Sequence, residues 1–102
     1  MYDCSGFVCS ILGIPPTSTS GLAGPNMRLV NVPAAQKRDG DVVIFKNPGK
    51  QAHAGFYDAS NGGSVVSAIH GGVMDQTLQY LRPRNGDPTA YKRLQELVNC
   101  SN

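Results

Sequence analysis

The chain has 102 residues, of which 40% are apolar and 16% charged, with a formal net charge of +2. That length suits one domain over residues 1–102 and leaves no room for a second core, and the composition argues against disorder. The weak charge, without a basic block, gives no support to nucleic-acid binding, though it allows mild attraction to an anionic polymer such as a cell wall. No apolar stretch is long enough to span a membrane. Residues 4–12 place Cys4, Phe7, Val8, Ile11 and Leu12 at helical spacing, which predicts a helix capped by Asp3 and stopped by Gly13. The stretch "IPPTSTSGLAGP" then predicts about a dozen residues without regular structure. "NMRLVNVPAAQKRDG" is ambiguous, broken at Pro33 and ending in a turn over Arg38–Asp41. "DVVIFK" reads as a buried strand. "AHAGFYDA" reads as a second, with His53, Gly55 and Tyr57 on one side and Ala54 and Phe56 on the other. "VVSAI" is a third strand, "HGGV" a loop and "TLQYL" a fourth strand. "PTAYKRLQELVN" fits either a helix or a closing strand at "AYKRL". One helix followed by a meander of strands is the pattern of an α+β domain.

Cys4 stands between Asp3 and Ser5-Gly6 at the start of the predicted helix. A helix start offers partial positive charge and N–H groups, which favour a thiolate over a thiol. Gly6 lets a substrate backbone come close, and Ser5 with main-chain N–H groups is a candidate oxyanion partner. An isolated cysteine, however, is more often core filler. Cys9 reads that way, and Cys100 is either free or paired with Cys9.

Only two histidines are present. His53 opens a strand, and Gly55 two residues on leaves room on the same face. A lone strand histidine is more often structural than catalytic. His70 lies beside Gly71-Gly72, just past a strand end, where an exposed loop histidine is an equal reading. The spacing of Cys4, Cys9, His53, His70 and Cys100 matches no common zinc pattern, so no metal and no cofactor is expected. Asp39 and Asp41 around Gly40 read simply as turn formers.

Three segments, in order, resemble the NlpC/P60 family of papain-like cysteine peptidases. "DCSGFV" at 3–8 is similar to the family's nucleophile motif, "DGDVVIF" at 39–45 to its Gly-Asp strand, and "HAGFY" at 53–57 to its His-bearing strand. "SAIHGGV" and "AYKRL" are weaker echoes. The resemblance runs from residue 3 to about 94 and implies a papain-like fold, with the nucleophile helix packed on an antiparallel sheet. It implies Cys4 as nucleophile and His53 as general base and acid. Asp3, Ser5, Gly6 and Gly55 become candidates for substrate or oxyanion contact. The third, orienting residue aligns with Ser67, whereas imidazole chemistry favours His70. On a regular strand those two point to opposite faces, and His70 is the preferred expectation. The family usually carries a Tyr and a Trp-Gly-Gly stretch before the nucleophile. Here only Met1-Tyr2-Asp3 precede it, with Tyr2 the candidate replacement, and the chain has no Trp.

The implied activity is thioester-forming hydrolysis of a peptidoglycan stem peptide, commonly between D-glutamate and a diamino acid. Alternatives are an N-acetylmuramoyl-L-alanine amidase on the same scaffold and an inactive wall-binding module. The site of action would be secreted or periplasmic, yet residues 1–13 lack the basic and unbroken apolar regions of a signal peptide. A compact domain of this kind would also suit an antibacterial effector, which implies an immunity protein as partner.

Overall fold

Apolar side chains fall on two faces of one sheet, and helices cover both. The computed structural model describes residues 4–25, 28–61, 63–69 and 72–95. The elements run α1 (Cys4–Leu12), α2 (Thr19–Ala23), β1 (Leu29–Val32), β2 (Val42–Phe45), β3 (His53–Asp58), β4 (Ser64–Ile69), β5 (Gly72–Thr77), α3 (Leu78–Asn85) and β6 (Ala90–Leu94). The six strands form one antiparallel sheet in the order β1-β6-β2-β3-β4-β5, with α1 packed on β3 and β4. This is an α+β fold with its N-terminal helix on the sheet.

α1 ends as its sequence predicts. Gly13 takes φ +70°, the Gly13 N–H donates to Ser10 O and the Ile14 N–H to Cys9 O. That pair of bonds is the Schellman closure, and it brings Ile14 into the same buried cluster as Cys9. Alternation along the strands sorts the core. Val42, Ile44, Ala54 and Phe56 join Val8 and Cys9 of α1 and Leu22 of α2 on one face. Val43, Phe45, Val65 and Tyr91 meet Leu81 of α3 on the other. β2 is buried at all four positions because both of its faces are covered.

Three expectations fail. The stretch expected to be irregular holds α2, whose N-cap Ser18 accepts the Gly21 N–H at 3.1 Å and whose end is closed by the Gly24 N–H on Ser20 O. "TLQYL", expected as a strand, is the start of α3. Thr77 Oγ1 caps it by accepting the Tyr80 N–H at 3.2 Å, and Gly86 at φ +78° ends it. The expected loop at Gly72 and Val73 is the beginning of β5, an edge strand mostly exposed on both faces. Without a buried face it shows no alternation to read. In the ambiguous tail "AYKRL" is strand, because β6 lies between β1 and β2 and pairs with both, and the helical reading's Leu97 and Val98 lie outside the described residues.

Asp41 does more than turn the chain. It is 4% exposed, and both its oxygens receive the Arg93 guanidinium, from Nε and Nη2, each at 2.7 Å. Oδ2 also accepts the Arg38 N–H at 2.7 Å. A fork-to-fork pair of this kind fixes direction as well as distance. It ties the start of β2 to β6.

Candidate active site

His53 is the first residue of β3, and its ring lies on the Phe45 face: the two are cross-strand partners with ring centroids 5.8 Å apart. Its Nε2 is 2.8 Å from Ser67 Oγ of β4, in a buried bond with Ser67 wholly inaccessible. Burial holds the His53 pKa below its ordinary value, since the charged form loses hydration. Nε2 is thus engaged, and among the described residues no hydrogen bond occupies Nδ1. A hydroxyl can accept from Nε2–H in both the neutral and the charged ring, so Ser67 serves either state.

Gly55 explains how this bond is possible, and it corrects the expectation that Gly55 leaves room on the face it shares with His53. A Cβ there would stand 2.5 Å from Val65 Cγ1, 2.6 Å from Val66 O and 2.9 Å from Ser67 Cβ. The space is therefore filled by β4. The missing side chain lets β4 close over β3 and bring the Ser67 hydroxyl diagonally to the imidazole.

Cys4 is the first residue of α1 and is partly exposed. Its Sγ lies 3.9 Å from Thr19 Oγ1. A cavity of about 630 Å³ opens beside it, within the range of about 300–1,000 Å³ usual for ligand pockets. Cys4, Ser5 and Gly6 line one side, the Pro16–Ser20 segment another, and Ala52 completes the wall. Ala52 immediately precedes His53, so the thiol and the start of β3 border one cavity. Cys9, by contrast, is a buried free thiol in the core, with Sγ 3.9 Å from Thr17 O.

The two halves approach from different sides of the sheet. α1 rests on the Phe56 face, where Phe7 and Phe56 make an edge-to-face pair with centroids 5.8 Å apart. The imidazole belongs to the Phe45 face. Any meeting of sulfur and ring therefore occurs around the beginning of β3, at Ala52 and His53, and not across the packed face.

Asp3 and His70 lie outside the described residues, as do Tyr2 and Cys100. Among the described residues, Ser67 bonds the imidazole. Sequence reasoning passed over Thr19 and the Asp41–Arg93 pair. The Ser/Thr run before "GLAG" was a cap signal for the first; nothing local signalled the second, whose members are far apart in the chain. Among the described residues, no three His, Cys, Asp or Glu side chains gather to hold a metal ion, and no helix is long and apolar enough to cross a membrane. No family model, curated protein or solved structure matches the chain.

Proposed function

We propose that the chain is a papain-like cysteine amidohydrolase of the NlpC/P60 kind, acting on stem peptides of bacterial peptidoglycan. One observation carries the reading: a buried imidazole held at Nε2 by a hydroxyl 2.8 Å away, on the strand whose preceding residue borders the cavity of a helix-start thiol. The remaining support is the order and spacing of "DCSGFV", "DGDVVIF" and "HAGFY".

In this reading Cys4 gives its proton to Nδ1 of His53 while its sulfur attacks the amide carbonyl. The oxyanion forms at the positive end of α1, where developing negative charge is stabilised. The imidazolium then passes the proton to the leaving nitrogen as the C–N bond breaks, which leaves a thioester. Water, deprotonated by His53, attacks that thioester; the C–S bond breaks and the thiolate recovers a proton. Ser67 keeps the ring oriented through both proton transfers. Cleavage between D-glutamate and a diamino acid is the bond the resemblance suggests. Loss of the bond to the sugar lactyl group instead would make the enzyme an amidase, and mass spectrometry of digested muropeptides separates the two.

The test is digestion of purified muropeptides by the wild type, Cys4→Ala and His53→Ala. Cleavage by the wild type and none by either variant, with circular dichroism unchanged for Cys4→Ala, is expected. Persistent cleavage by Cys4→Ala overturns the assignment. A second reading, an inactive wall-binding module, is favoured by the placement of His53 on the face opposite α1. It predicts binding to insoluble peptidoglycan without product release, and unchanged binding in both variants.

A further inference from the structure

The segment between α1 and β1 was expected to be featureless, yet it folds α2 against the thiol end of α1. Ser18 caps that helix and fixes the residue after it. Thr17 Oγ1 occupies the place a Cβ of Gly21 would take, so the turn before α2 closes tightly. The result sets Thr19, only 9% exposed, with its Oγ1 3.9 Å from Cys4 Sγ. Thr19 and Cys4 also border the same cavity.

We propose that Thr19 is a positioning residue for the Cys4 sulfur. Its hydroxyl holds the sulfur at the mouth of the cavity and donates to it once the thiol has lost its proton. The geometry allows either atom to donate in the neutral pair, but a thiolate can only accept, so the bond strengthens as the nucleophile forms. Among the described residues, the cavity lining holds no titratable side chain besides Cys4 and no charged one. The titratable group that β3 brings to this end is His53, next to Ala52. The hydroxyl of Thr19 is a polar contact of the sulfur at this cavity. The inference rests on the reading of Cys4 as nucleophile.

The test replaces Thr19 by Val, which keeps the shape and removes the hydroxyl, and by Ser, which keeps the hydroxyl. Iodoacetamide alkylation of Cys4 is followed by peptide-resolved mass spectrometry from pH 5.5 to 9.5, alongside the thermal midpoint of each variant. In Thr19→Val the rate at pH 6 should fall by about tenfold, the scale of one hydrogen bond to a charged group, and approach that of wild type at pH 9.5. Thr19→Ser should restore most of the rate at pH 6. An alkylation profile of Thr19→Val equal to that of wild type overturns the proposal, as does a loss that is the same at every pH. If Thr19→Val does not fold, a Thr19→Ser profile displaced as far as that of Thr19→Ala overturns it too. Muropeptide digestion is scored separately. A wild type that cleaves nothing while Thr19 still governs alkylation refutes the hydrolase reading and leaves this one standing.

Discussion

The imidazole half and the thiol half of the candidate site are built on opposite plans. His53 is 8% exposed, bonded to a wholly buried hydroxyl and seated against Phe45. Cys4 is partly exposed, beside an open cavity, with a hydroxyl at 3.9 Å. A group that must move protons gains from being locked, since a wandering ring loses its alignment with both donor and acceptor. A group proposed to attack a polymer, as Cys4 is, has to be reachable. The contrast teaches that damage to the imidazole side should cost both stability and activity, whereas damage to the thiol side should cost activity alone.

The hardest blow to the locked half is Gly55→Ala. The new Cβ would overlap a backbone oxygen as well as two side chains, so β4 must shift away from β3. Urea denaturation should show a loss of about 3 kcal/mol, at the upper end for overpacking, and cleavage should vanish with the His53–Ser67 alignment. A Gly55→Ala protein with wild-type stability would mean that the two strands are not held this close. Next in size is Ser67→Ala. It leaves Nε2 of a buried imidazole without its partner, at a cost of about 1–3 kcal/mol. Turnover should fall while KM changes little, because Ser67 touches the ring and not the substrate. Equal losses from Ser67→Ala and from an exposed control away from the cavity, such as Ser10→Ala, would erase the distinction between the halves.

The smallest effect is in the pH dependence of stability. The His53 pKa is below its ordinary 6.5 in the folded protein, so the unfolded chain takes up the proton first as pH falls. Stability is then complete above about pH 6.5 and declines as pH drops through the window between that value and the lower folded one. Thermal midpoints at pH 7.5, 6.5 and 5.5 should fall in that order for the wild type. They should fall less in His53→Gln, and a Cys4→Ala control should follow the wild-type trend. A decline as steep in His53→Gln would assign the effect to other groups.

What the sequence made legible follows the strength of its periodic signals. α1 and the strands β2, β3 and β4 were readable because each buries a face, and burial leaves a period in the residues. β5 was not: Val73 and Met74 are both about half exposed, on an edge strand that buries no continuous face. α2 has five residues and one buried leucine, too few for a helical period, and it is held by Ser18 and by its place against α1. "TLQYL" looked β-like by composition, but a cap at Thr77 and a stop at Gly86 outweigh composition over eight residues. At the site, Cys4 and His53 were marked by their neighbours in the chain. The contact of Ser67 with Nε2 needed the third dimension, because it is the close approach of β4 to Gly55 that brings the hydroxyl there. Asp41 and Arg93 were invisible as a pair for the same reason: they are 52 positions apart, and only the sheet order joins them.

That order has a consequence for synthesis on the ribosome. β6, the last strand described, sits between β1 and β2, so β1 has no neighbour in the sheet until Leu94 has cleared the exit tunnel. The strands from β2 to β5 can meet earlier, each beside the one before it. Nascent chains stalled with β6 still inside should therefore protect β3 and β4 from proteolysis while leaving Leu29–Val32 open to it.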